Sequence, residues 1–186
     1  KEAEVAANLR HPHIVPIYDH WNENRKTYIV MPWYPRSLQD KLNVDSRLDI
    51  RQTLRIAIPV AQALIAAHTA GVIHRDIKPP NILLSDGDIP LICDFGTARL
   101  VYTNTSYHTQ IGGTYGYLAP DQMFKNPKVT VTTDIYALGA VLFRMLTGDT
   151  LPGVRTIYEF ENDLGVPNKL QEIINKALKV DPLQRF

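Results

Sequence analysis

Cysteine is nearly absent: Cys93 is the only one among 186 residues. A single thiol cannot close an intrachain disulfide, which excludes a disulfide-stapled secreted domain and points to a reducing, cytoplasmic setting. Long apolar runs are absent too. No stretch approaches the roughly 20 residues that span a bilayer, and no leader with a basic start and an apolar core opens the chain. Nor is there an excess of one charge, because 20 Lys and Arg against 19 Asp and Glu leave a net charge of +1. So weak a field gives no general attraction to nucleic acid or to an anionic membrane, and neither partner is expected. The 45% of hydrophobic residues, in contrast, can fill a sizeable core in one domain or a little more. The chain starts at Lys1 rather than Met, inside what reads as a helix, and stops after Asp181 to Phe186 without a finishing motif. It reads as a fragment, with targeting or anchoring segments expected outside it.

Local patterns divide the chain. Lys1 to Leu9 is rich in Ala, Glu and Leu and reads as helix, stopped by Pro12 through its effect on the preceding residue. Two short strands are expected, at 14–18 and 27–31, with Asn22-Glu23-Asn24 as the turn. Pro32 and Pro35 mark a stiff connector, and Ser37 is placed to cap a short helix to Leu42. Asp49 to Ala70 predicts a long helix burying Leu54, Ile58, Ala61, Ile65 and His68, kinked at Pro59 and ended by Gly71. Apolar runs at 82–84 and 89–93 flank the turn Asp86-Gly87. The stretch from Thr97 to Tyr117 is polar and long for a loop, and loops of that length in a compact domain are commonly functional. Thr132 to Leu146 predicts a buried helix ended by Gly148, and 168–178 a final amphipathic one.

The chemistry concentrates in His74-Arg75-Asp76-Ile77-Lys78-Pro79-Pro80-Asn81, followed by Asp94-Phe95-Gly96. A loop carboxylate can orient a hydroxyl and accept its proton, and Asp76 has that chemistry. Lys78, two residues on, points to the same side of an extended loop and can meet charge on the transferring group. Asp94 and Asn81 offer the oxygen ligands that magnesium prefers and shares with phosphates. An Asp alone in a loop is ordinarily a turn or cap residue. The joint order and spacing of these residues reverse that.

This signature resembles the catalytic domain of eukaryotic-like (Hanks-type) serine/threonine protein kinases, with Lys78 similar to the serine/threonine class and Ile135 to Gly139 bacterial in style. The resemblance runs from residue 2 to 185. It implies an α+β, protein-kinase-like fold, mainly the helical C-lobe plus a remnant of the N-lobe. Residues 1–31 would be that remnant (the end of a helix and two strands). Residues 32–186 would be the C-lobe without its last helix. It further implies ATP and Mg2+, a protein substrate with Ser or Thr, Glu2 as the helix glutamate that pairs with a lysine upstream, Met31 as gatekeeper, Pro32, Trp33 and Tyr34 as the adenine hinge, and Leu83 as the floor under adenine. Arg75 resembles the arginine that receives an activation-loop phosphate, with Thr103, Thr105, Ser106 and Thr109 as acceptors. Gly113 to Pro120 resembles the substrate-side loop, in which Thr114 bridges Asp76 and Lys78. Asp121 stands where the family has glutamate, so its pair with Arg185 is expected to be weakened by the shorter reach. Asp134 resembles the buried aspartate that holds the catalytic-loop amides. The expected activity is that of the full-length parent; the 186 residues alone, without a Gly-rich loop or its lysine, are expected to be inactive. The alternatives are a pseudokinase used for binding or scaffolding, and a small-molecule kinase of related fold, whose pattern lacks Lys78 and the 113–121 segment.

Overall fold

The computed structural model describes residues 9–24, 26–95, 115–123, 129–151, 158, 160 and 164–186. The expected helix over Lys1 to Leu9 and most of the 97–117 loop lie outside these residues. The first described element is a hairpin of β1 (Asp19–Glu23) and β2 (Lys26–Val30), antiparallel in the register Trp21 to Tyr28. Strand pairing therefore begins later than the expected 14–18. Asn24, at a left-handed φ of 49°, makes the turn, and the hairpin register follows the turn. The apolar residues at 14–18 serve another purpose: Ile14 bridges Ile92, and Val15 donates to the Ile92 carbonyl at 2.9 Å. A second, three-stranded antiparallel sheet orders β3 (Arg36–Ser37), β4 (Ile82–Leu84) and β5 (Pro90–Ile92).

Helix α1 spans Leu38–Asp45, and Ser37 caps it in a reciprocal box with Asp40. Helix α2 spans Ile50–Thr69. Its start is fixed by Gln52 N–H on Asp49 Oδ1 at 2.7 Å, answered by Asp49 N–H on the Gln52 side chain. Its end is a Schellman turn, with Val72 N–H on the Ala67 carbonyl and Gly71 at φ 77°. The buried face is not the expected one. Thr53, Ile56, Ala57, Val60, Ala63, Leu64 and Ala67 are buried, whereas Ile58 and Ile65 are 54% and 65% exposed. This helix is apolar on almost every side, so periodicity admits two stripes. The stripe with Ala57, Ala63 and Ala67 is the one that lets neighbouring backbones approach.

Helix α3 (Val131–Thr147) is the central strut and ends at Gly148 with φ 83°. It packs against α2 and against α4 (Asn168–Ala177). The α3 to α4 crossing is tight at Gly139, where a Cβ would lie 2.9 Å from Ala177 Cβ and 3.2 Å from Leu178 Cδ2. Neither neighbour is the free end of a long side chain. We expect Gly139→Val to overpack this crossing and destabilise the fold by on the order of 2 kcal/mol. Calorimetric melting checks this; a melting temperature equal to the wild type would show that the helices separate freely.

Candidate active site

The loop between α2 and β4 carries the polar residues, and three observations explain how it holds its shape. The first is Asp134 in the first turn of α3, wholly buried. Its Oδ2 accepts from His74 N–H at 2.8 Å and its Oδ1 from Arg75 N–H at 2.7 Å. A charge this deep requires such donors, and the helix N-terminus adds its own positive end. The second is Arg75 at φ 73°, a left-handed conformation that costs a non-glycine residue on the order of 1–2 kcal/mol. The bonds at both its backbone groups offset that cost, because the Arg75 carbonyl accepts from Gln122 Nε2 at 3.1 Å. The third is His74, fully buried. Its Nε2 donates to the Cys93 carbonyl at 2.7 Å and its Nδ1 accepts Asp76 N–H at 3.2 Å. Burial lowers its pKa against the pull of Asp134, so the ring is neutral and the tautomer is set. His74 thus ties the loop to the end of β5, with its ring edge on Phe95 at 4.7 Å between centroids.

On this frame Asp76 becomes a shared acceptor. Lys78 Nζ lies 2.8 Å from its Oδ2, and Asn81 Nδ2 donates to the same Oδ2 at 2.9 Å and to the Asp76 carbonyl at 2.7 Å. With its nitrogen so engaged, Asn81 keeps an amide oxygen free of hydrogen bonds among the described residues. Asp94, exposed and left-handed at φ 64°, follows directly after Cys93. Both carboxylates, Asp76 and Asp94, act electrostatically on the buried His74. Asp94 and Asn81 together offer one carboxylate and one neutral amide oxygen. That suits magnesium, which keeps waters and shares phosphate oxygens rather than sitting in an all-protein cage. Among the described residues no cluster of three or more His, Cys, Asp or Glu side chains forms such a cage.

Met31 and Asp94 line one small cavity of about 20 Å3 together with Ile17, Ile29 and Phe95, so the connector and the Asp94 turn share a wall. Trp33 is 83% exposed. Pro32 and Tyr34 are half-buried, and burial raises the Tyr34 pKa, followed by the neighbouring Tyr18. Leu83 and Tyr34 pack on Val15, Leu91 and Cys93. The Asp121 to Arg185 pair forms in full despite the shorter acid: Arg185 Nη2 reaches Asp121 Oδ1 at 2.7 Å with both residues buried. The expected weakening through lost reach does not occur, because the short turn Pro120–Gln122 carries Asp121 to the arginine. Glu2, Thr103, Thr105, Ser106, Thr109 and Thr114 lie outside the described residues.

Sequence reasoning missed Gln122 and His68. Gln122 joins Ala119 N–H to the Arg75 carbonyl and belongs to no pattern. His68 donates from Nε2 to Asp134 Oδ2 at 2.7 Å. Its signal was a polar ring at the end of an apolar helix stripe, which demands a buried partner.

Cys93 is buried, and its thiol pKa is pushed up to about 12, first by burial and then by the Asp94 carboxylate. Thiolate is the reactive form. We expect a disulfide reagent at pH 8 to leave the native thiol unlabelled and to label it fully after unfolding, as read by absorbance. Rapid labelling of native protein would contradict this burial.

A buried frame thus presents a carboxylate, an ammonium and an amide beside a second carboxylate. The model of the protein kinase domain matches residues 1–186. A probable serine/threonine-protein kinase of Clostridium perfringens, CPE1738, is 34% identical over 201 residues, covering 100% of this chain and 29% of that protein. Serine/threonine-protein kinase PrkC of Bacillus subtilis is 33% identical over 207 residues, 100% of this chain and 31% of PrkC. PknB of Mycobacterium leprae is 38% identical over 207 residues, with 100% and 33% covered. The chain belongs to the protein kinase family. It spans between a fifth and a third of the length of the curated relatives it matches. The family implies ATP as a substrate and usually Mg2+, and among the described residues no helix is long and apolar enough to cross a membrane.

Proposed function

We propose that the full-length protein transfers the γ-phosphate of ATP to a serine or threonine hydroxyl of a protein substrate. The observation that carries this reading is the shared Asp76 Oδ2, held by Lys78 Nζ and Asn81 Nδ2. In this reading Asp76 orients the substrate hydroxyl and accepts its proton as the hydroxyl oxygen attacks the γ-phosphorus and the bond to ADP breaks. Lys78 sits where the transferring phosphate arrives and stabilises charge that develops there. Asn81 and Asp94 would hold magnesium, which would supply positive charge to offset that of the phosphates. Met31, Pro32, Trp33 and Tyr34 would line the adenine, with Leu83 beneath it. Glu2 would pair with a lysine, and Thr114 would bridge Asp76 and Lys78. Residues 1–31 would belong to the small lobe and 32–186 to the large one.

Arg75 would pair with a phosphate on Thr103, Thr105, Ser106 or Thr109, since a phosphate of nearly two charges suits a guanidinium. The test is the full-length protein incubated with γ-labelled magnesium-ATP and a library of serine-, threonine- and tyrosine-containing peptides. Label on serine or threonine, lost when magnesium is chelated, is the expected result. Tight ATP binding without any transfer would overturn the reading in favour of a binding module.

A further inference from the structure

His68 stands in the last turn of α2, outside the catalytic loop, and its Nε2 makes the third bond to the Asp134 carboxylate. The other two come from His74 and Arg75, which are neighbours in one loop. Donors from a single loop can swing the carboxylate with them. A donor on α2 fixes it against a second rigid element, and α2 packs directly on α3, which bears Asp134. Asp134 is wholly buried, whereas the His68 side chain keeps 16% exposure. A carboxylate is an acceptor only, so the shared hydrogen belongs to His68 Nε2. Removing it leaves Oδ2 with the His74 amide alone, and that amide immediately precedes the strained Arg75.

We propose that His68 is a positioning residue for the loop that presents Asp76. It acts through Asp134, fixing the carboxylate that holds the His74 and Arg75 amides. The consequence for turnover rests on the kinase reading above; the consequence for the loop does not. A hydrogen bond to a buried charge is worth enough to change a local equilibrium about tenfold or more. A histidine that merely ends a helix would affect stability everywhere alike and leave the folded molecules equally active.

The experiment uses the full-length protein with His68→Leu, which keeps bulk without a donor, and His68→Gln, whose Nε2 can still reach Asp134. Hydrogen exchange of the His74 and Arg75 amides is read without nucleotide, with the α3 core amides as the internal standard. His68→Leu is expected to speed exchange at 74 and 75 by about tenfold with the α3 core unchanged. It should also lower kcat by about tenfold with KM for magnesium-ATP nearly unchanged, and His68→Gln should restore most of both. Wild-type exchange at 74 and 75 in His68→Leu would overturn the proposal, as would equal behaviour of Leu and Gln. If His68→Leu yields no folded protein, His68→Asn, whose shorter amide falls short of Asp134, takes its place with the same criteria. Should the wild type transfer no phosphate while the local exchange effect is present, the kinase reading fails and the positioning role stands.

Discussion

Asp76→Asn in the full-length protein is expected to cut kcat by about a thousandfold, within the range for losing a general base. The substitution is nearly isosteric, so the frame around it stays. His74 still receives the residue-76 amide, and Asn81 still reaches the residue-76 carbonyl, because both bonds use backbone groups of Asp76. What goes is the negative charge that Lys78 and the Asn81 amide now share. Lys78 then lacks its anchor, and the substrate hydroxyl lacks a proton acceptor. KM for magnesium-ATP should change little, since Asp94 and the Asn81 oxygen are untouched. Steady-state kinetics with a phosphorylatable peptide, beside a melting curve, checks both halves. Turnover within tenfold of the wild type would remove Asp76 from its role.

The largest expected effect on stability is at the Asp121 to Arg185 pair. Asp121→Ala leaves a buried guanidinium without its counter-ion, a change that costs about 3–5 kcal/mol. Arg185 joins three segments here: Asp121, the Thr132 carbonyl at 3.0 Å, and the adjacent Lys179 and Val180 carbonyls at 2.7 and 3.1 Å. Its guanidinium also lies 4.9 Å from the Tyr136 ring centroid. Burial, with the Tyr158 hydrogen bond, pushes the Tyr136 hydroxyl pKa above the usual tyrosine value, so that residue stays neutral and gives no substitute charge. The other Asp121 oxygen accepts Thr133 Oγ–H at 3.0 Å, one residue before Asp134. The first turn of α3 therefore grips both the 119–122 segment and the loop at His74 and Arg75, and loosening one is expected to loosen the other. The melting temperature should fall by roughly 6–20 °C. A fall of under 2 °C would mean that water reaches the pair.

The grouping of Asp76, Lys78 and Asn81 was legible because it is local in sequence. Asp76, Lys78 and Asn81 lie within one loop, and side-chain alternation along an extended loop puts the first two on one side. The Ser37 cap was legible for the same reason: its bonds with Asp40 act over three residues. The buried face of α2 was not legible. Its isoleucines satisfy a helical period as well as its alanines do, and the choice depends on what α3 presents. The first strand was misplaced because apolar residues at 14–17 signal burial equally well whether they pair in a ladder or pack against another sheet.

The sequence by itself determined the Ser37 cap, the stops at Gly71 and Gly148, the apolar centre of α3 and the order of Asp76, Lys78 and Asn81 along the chain, since these follow from short-range hydrogen bonding and from spacing. Only the tertiary structure decided which stripe of α2 is inside, that Asp121 reaches Arg185 without its missing methylene, and that His68 meets Asp134 across 66 residues. Each is a contact between segments far apart in the chain. Its geometry depends on where two rigid elements stop against one another, and no single segment encodes that.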